Sequence, residues 1–118
     1  MEYLLLIAID ADRRPDPEAL AADRPKWMAY TQELLEAGLH RGGNALEDVD
    51  TASTVRVRDG ETLISDGPFA ETKEFLAGYY LIDVPDLDAA LAWAAKMPSI
   101  GYGSVEVRPI RDVGAPAA

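Results

Sequence analysis

A tight corner between two strand-like runs organises this sequence, and it reads Asp66-Gly67-Pro68-Phe69-Ala70-Glu71-Thr72-Lys73-Glu74. Gly67 can adopt backbone angles that other residues avoid, and Pro68 fixes its own φ while pushing its predecessor towards an extended conformation. Asp66 can accept hydrogen bonds from backbone amides two residues on. Turn chemistry alone explains these residue types, but they are followed by two carboxylates, a hydroxyl and an ammonium group. The segment is therefore either a structural corner or a candidate binding site.

Strands are predicted on both sides of this corner. Before it, residues 54–58 alternate apolar with basic side chains, which predicts a strand with its valine face buried, and Asp59-Gly60 is a strong hairpin turn into residues 62–65. After it, residues 75–84 form a long apolar run. Simple alternation places the side chains of Leu76, Tyr80 and Ile82 on one face of that strand and those of Ala77, Tyr79 and Leu81 on the other.

The rest of the chain supplies two more strands and two helices. Residues 3–9 are apolar on both faces, as in a central strand, and residues 104–108 alternate. A helix is predicted between Asp23 and Gly38, with an apolar stripe of Trp27, Tyr30, Leu34 and Leu35. A second helix begins after Asp86 and stops before Pro98. Residues 10–22 form a polar connection with one helical turn at 17–21, and residues 39–46 form a Gly-rich extended segment.

The order strand, helix, hairpin, strand, helix, strand predicts an α+β fold, a ferredoxin-like antiparallel sheet with two helices on one face. Two helices cover only one face of such a sheet, although two of its strands are apolar on both faces. A second copy packed sheet against sheet, in a two-fold homodimer, would cover the other face. A different protein partner would explain the same apolar surface.

Length and composition limit the function. The 118 residues suit a single domain, assigned to residues 1–112 with a flexible tail at 113–118. A formal net charge of −10 disfavours direct contact with nucleic acid or anionic membranes. The absence of cysteine excludes disulfides and thiolate chemistry. No run is long enough to span a membrane, so a cytoplasmic location is expected. No metal-binding or phosphate-binding motif occurs, and no cofactor is predicted.

The corner also carries a family resemblance. Residues 66–74, with Tyr3-Leu4-Leu5-Leu6-Ile7, Gly78-Tyr79-Tyr80-Leu81-Ile82 and Val105-Glu106-Val107-Arg108-Pro109, resemble the DGPF-domain branch of the YCII-related proteins over nearly the whole chain. The resemblance implies a dimeric α+β barrel. It also implies a His and Asp pair in a cleft, and genes next to those of extracytoplasmic-function sigma factors. Asp66 matches the family aspartate, but Trp27 stands where the family histidine is expected.

Two functions remain open from the sequence. In the first, the corner holds an unknown small molecule, with Asp66 and the chain's only histidine, His40, as acid–base residues. The ligand-binding residues are then apolar walls and charged groups, namely Trp27, Tyr30, Phe69, Lys73 and Glu74. In the second, the protein is a non-catalytic accessory or interaction module, linked through the resemblance to sigma-factor regulation.

Overall fold

A computed structural model describes residues 1–67 and 73–114. The strands are β1 (Glu2–Asp10), β2 (His40–Ala45), β3 (Ser53–Arg58), β4 (Glu61–Asp66), β5 (Glu74–Asp83) and β6 (Gly103–Pro109). The helices are α1 (Pro17–Ala22), α2 (Arg24–Glu36) and α3 (Leu87–Ala95), and a 3₁₀ turn covers Val49–Thr51. These bounds agree with the predicted strands and helices to within a few residues.

Four strands form one antiparallel sheet in the order β2-β5-β1-β6. Together with α2 and α3 they give the ferredoxin-like α+β arrangement that the sequence predicts. One assignment in that prediction was wrong, because the hairpin β3–β4 forms a separate two-stranded sheet. The Gly-rich segment that becomes β2 takes the second-strand position instead. Gly43 allows this, since a Cβ there would lie 2.8 Å from the carbonyl oxygen of Tyr79 on β5.

The core lies between one face of the sheet and the two long helices. Tyr3, Leu5, Ile7 and Ile9 alternate along β1 as its buried side chains, as expected for period two. They pack with Ile82 and Val84, with Tyr30, Leu34 and Ala90 of the two helices, and with Met97 just after α3. Both helices therefore cover the same face. The remaining side chains of β1, including Leu4 and Leu6, lie half-buried on the other face.

The helix ends follow their sequence signals with one exception. Asp86 caps α3, since its carboxylate accepts a hydrogen bond from the backbone N–H of Ala89 at 2.9 Å. Asp23 stands at the N-cap of α2 without capping it through its side chain. Its carboxylate instead accepts a hydrogen bond from the Tyr102 hydroxyl at 3.1 Å. The helix start is thus tied to the loop before β6.

The hairpin differs from its prediction in which face is buried. Val55 is 62% exposed, Val57 58% and Ile64 72%, while Arg56 on the opposite face is half-buried. Val55 and Ile64 are cross-strand partners. We call Val55, Val57 and Ile64 the outer hairpin face. Alternation correctly predicts that one face is apolar, but nothing within residues 1–67 and 73–114 buries it.

Candidate functional site

A cavity of about 430 Å³ opens beside the core, between the helical layer and the sheet. Trp27 and Thr31 of α2 and Leu20 of α1 line one side of it. The sheet lines the other with side chains from the second half of β1 and from β5, namely Ile7, Ile9, Phe75, Ala77 and Tyr80. Residues 43–48, at the end of β2 and in the following loop, form its rim.

A β-bulge in β5 shapes the sheet side of the cavity. Ile7 pairs with Gly78, and the next residue of β1 pairs with Leu76, so Ala77 is the extra residue. The bulge reverses the alternation, and Phe75 and Ala77 turn to the helical side with Tyr80. Leu76 is 46% exposed. The prediction that Leu76 shares a face with Tyr80, and that Ala77 lies opposite, was therefore wrong.

Aromatic rings form the inner wall. The rings of Trp27 and Tyr80 are nearly parallel, with centroids 6.4 Å apart and planes inclined by 12°. Tyr30 meets both rings edge-on, at 6.3 Å from Trp27 and 5.4 Å from Tyr80. The Tyr80 hydroxyl is hydrogen-bonded to the Thr31 hydroxyl at 2.6 Å. Tyr80 is therefore fixed in place by α2 as well as by its strand.

Tyr30 supports this wall from inside the core. It is 4% exposed, and its hydroxyl donates a hydrogen bond to the carbonyl of Trp93 at 2.8 Å. That bond joins α2 to α3. Burial raises the pKa of Tyr30, and the nearby Tyr80 and Glu33 raise it further. The Tyr30 hydroxyl therefore stays protonated at neutral pH.

The mouth of the cavity is crossed by an ion pair. Arg14, in the connection after β1, donates a hydrogen bond from Nη2 to the Asp48 carboxylate at 3.2 Å. The Arg14 guanidinium also lies 5.2 Å from the centroid of the Phe75 ring. The hydrogen bond from Arg14 is the main reason why the pKa of Asp48 lies below its ordinary value. Asp48 is therefore charged at neutral pH.

The far side of the cavity contains a Tyr and Asp pair. Tyr102 lines the cavity and donates its hydroxyl hydrogen to Asp23, which also forms an ion pair with Lys26 at 3.3 Å. Burial is the first cause that raises the pKa of Tyr102, and the hydrogen bond to Asp23 is the second. The phenol is thus neutral at physiological pH and is engaged by its acceptor.

Two of the predicted site residues meet at the cavity. Trp27 lies on its helical wall, and His40 lines it from the start of β2. The half-buried His40 ring meets Tyr80 edge-on, with centroids 6.1 Å apart. Tyr30 lies behind the wall and does not line the cavity.

Asp66, Lys73 and Glu74, the predicted corner residues that the structure describes, do not line this cavity. Asp66 is exposed at the end of β4, opposite Ser53, and makes no hydrogen bond or ion pair with His40 within the described residues. Lys73 is exposed and lies 3.6 Å from the Asp12 carboxylate. Glu74 begins β5 and accepts a hydrogen bond from the Ser104 hydroxyl at 3.4 Å. Phe69 falls outside the residues that the structure describes.

Neither a metal-binding cluster nor a membrane-spanning helix occurs among the residues that the structure describes. Among residues 1–67 and 73–114, no group of three or more His, Asp or Glu side chains is placed to hold a metal ion. In the same part of the chain, every helix is too short or too polar to cross a bilayer.

Sequence reasoning missed most residues of the cavity. Arg14 lies in a polar connection with no motif, and its contact with Asp48 joins residues 34 positions apart. Phe75 was predicted only as part of a strand. Its place in the cavity depends on the bulge, for which Gly78 was the available signal, since glycine inside a strand often marks a bulge.

These features define the class of the protein: a ferredoxin-like α+β domain with an aromatic cavity between its helical layer and its sheet. The model of the YCII-related domain matches residues 1–114, and the chain belongs to that family. It is also similar to an uncharacterised protein of Rhizobium meliloti (strain 1021). The two are 44% identical over 84 residues, which cover 70% of this chain and 68% of the Rhizobium protein.

Proposed function

We propose that this YCII-related protein binds a small molecule with an aromatic or other flat apolar part in the cavity beside α2. The observation that carries the proposal is the cavity itself, which has about 430 Å³ of space and walls formed by Trp27, Phe75 and Tyr80. Small-molecule sites in proteins typically have volumes of roughly 300 to 1,000 Å³, mostly apolar walls and a few polar groups. This cavity has all three properties.

The polar groups at the cavity support a binding role. His40 lies on its wall, and Arg14 and Asp48 at its mouth. Imidazole changes its charge near neutral pH and can act as a general acid or base. In our proposal Trp27 contacts the ligand and His40 is the residue that could exchange a proton with it.

We further propose that the protein is a homodimer of the DGPF branch, in which a second copy covers the uncovered apolar surfaces. The outer hairpin face supports this, as do the half-buried Leu4, Leu6 and Leu81 on the open face of the sheet. The radius of gyration is 16.5 Å, compared with about 13 to 14 Å for a compact domain of this length. An isolated two-stranded hairpin is only marginally stable in water, so a partner would stabilise this one.

In the proposed dimer, the residues predicted at the corner could reach the cavity of the other copy. Asp66 and Lys73 do not line the cavity of their own chain. An acid–base pair of Asp66 with His40 would therefore need Asp66 from the second copy. In our proposal, Lys73 and Glu74 contact a polar part of the ligand only from the second copy, because neither lines the cavity of its own chain.

A neutral aromatic probe tests the cavity. We expect naphthyl-ethanol to bind the wild-type protein in isothermal titration calorimetry and to quench Trp fluorescence. Ala45→Leu places a larger side chain on the exposed rim, and we expect it to weaken binding. Ala37→Leu makes the same change at an exposed position at the end of α2, outside the cavity, and is the matched control. Equal affinity for the wild type and both variants would contradict binding in this cavity.

A second candidate function is supported by the outer hairpin face alone. An exposed apolar surface on an otherwise acidic chain suits an interaction module that docks a different protein. Such a module would not need the cavity. Absence of probe binding, together with a monomeric state in solution, would favour this second function over the first.

A further inference from the structure

We propose that the ligand of this cavity carries a positive charge, such as an aliphatic amine attached to an aromatic group, and that Glu47 recognises the charge. This inference rests on the proposed binding function and adds the chemical class of the ligand. It is argued from the charges at the mouth and from the rings that line the cavity.

The charges at the mouth leave one carboxylate available. The residues that line the cavity include one guanidinium, Arg14, and two carboxylates, Glu47 and Asp48. Arg14 and Asp48 neutralise each other through their hydrogen bond at 3.2 Å. Glu47 is exposed and makes no ion pair within residues 1–67 and 73–114. Apart from His40, the charged groups of the lining therefore sum to a net charge of −1.

The chain already places a cation in this environment. The Arg14 guanidinium lies over the Phe75 ring, 5.2 Å from its centroid, while a carboxylate binds it from outside. An aromatic face attracts a cation because the ring quadrupole is negative above its plane. Trp27 and Tyr80 offer two more rings inside the same cavity. An ammonium group near them would meet the same combination of ring and carboxylate.

An anionic ligand would be opposed by the same groups. Arg14 is the only Lys or Arg that lines the cavity within the described residues, and it is already bound to Asp48. A carboxylate that displaced Asp48 would leave two carboxylates close to a third negative charge. The formal net charge of −10 on the whole chain adds to that repulsion and favours the approach of cations.

Three probes that differ only in their terminal group, which is positive, neutral or negative, test the proposal. Naphthyl-ethylamine, naphthyl-ethanol and naphthyl-propanoate share their aromatic group, and their dissociation constants are measured by calorimetry at low salt. We expect the amine to bind about tenfold more tightly than the alcohol, in the range of a cation–π contact assisted by one carboxylate. We expect the propanoate to bind most weakly.

Glu47→Gln removes one charge and keeps the size of the side chain. We expect it to reduce the preference for the amine over the alcohol, and to leave the affinity for the alcohol unchanged. Glu36→Gln is the matched control, because it makes the same change in net charge at the exposed end of α2, away from the cavity.

Each outcome decides the proposal. An alcohol that binds as tightly as the amine, or a propanoate that binds more tightly than either, would overturn the positive ligand while leaving the cavity as a binding site. An equal loss of amine affinity in Glu36→Gln and Glu47→Gln would overturn the role of Glu47. If none of the three probes binds, both this inference and the proposed function fail.

Discussion

Ile64 offers a direct test of whether a second copy covers the hairpin. Its side chain is 72% exposed within one chain and lies beside Val55 on the outer hairpin face. Ile64→Thr replaces part of that apolar surface with a hydroxyl and keeps a β-branched residue, so the strand itself tolerates the change.

The expected magnitude depends on what covers the face. Fully burying an isoleucine side chain contributes about 1.5 to 3 kcal/mol. Because about three quarters of Ile64 is already exposed in the single chain, Ile64→Thr should lower the stability of a monomer by less than ~1 kcal/mol. In a two-fold dimer the substitution occurs twice, and a loss of about 2 kcal/mol per side chain weakens association by about 4 kcal/mol. That corresponds to roughly a thousandfold rise in the dissociation constant.

Sedimentation equilibrium measures the dissociation constant, and urea unfolding under conditions where the variant is monomeric measures its own stability. Met28→Thr is the control, because Met28 is 67% exposed on α2 and belongs to neither apolar face of the two sheets. We expect the control to leave association unchanged. A dissociation constant for Ile64→Thr within twofold of wild type would refute the idea that a second copy buries this face.

Three further predictions concern the core, the sheet and alkaline pH. Leu34→Ala removes a side chain with no exposed surface and should lower the free energy of unfolding in urea by about 2 to 5 kcal/mol. Gly103→Ala should lower it by more than ~1 kcal/mol, because the new Cβ would collide with a backbone carbonyl of β1; Gly101→Ala, with open space around it, should change stability little. The pKa of Tyr102 is raised mainly by burial and secondly by the hydrogen bond to Asp23. The neutral Tyr102 phenol therefore contributes to the free energy of unfolding below pH ~10, and this contribution is lost as pH rises through the pKa of the folded state. A pH series of thermal melts should therefore show a smaller alkaline loss for Tyr102→Phe than for wild type, and an equal loss in both would contradict this.

Local patterns predicted the secondary structure well because they report local geometry. The apolar run of residues 3–9 correctly predicted a central strand, and Asp86 correctly predicted a helix start that its own side chain caps. Even the short helical turn of residues 17–21 appears as α1. Each of these features depends on residues within one or two turns of one another.

The candidate site was less predictable because long-range contacts build it. Trp27 and His40 were named from the sequence, and both line the cavity. The contact of Arg14 with Phe75 depends on how a loop returns over the sheet, and no local pattern encodes it. The exposure of Val55 illustrates the same limit, since alternation identifies an apolar face without showing what will cover it.

Composition, spacing and motifs, which are properties of the residues in order, were enough to give the family, five of the six strands in the described residues, the two long helices and the negative charge of the chain. Tertiary structure alone decided that the Gly-rich segment, and not the hairpin, joins the main sheet. It also decided that a one-residue bulge turns Phe75 and Ala77 into the cavity. Strand pairing selects among segments of similar propensity by how closely their backbones can approach, and Gly43 permits a close approach of β2 to β5.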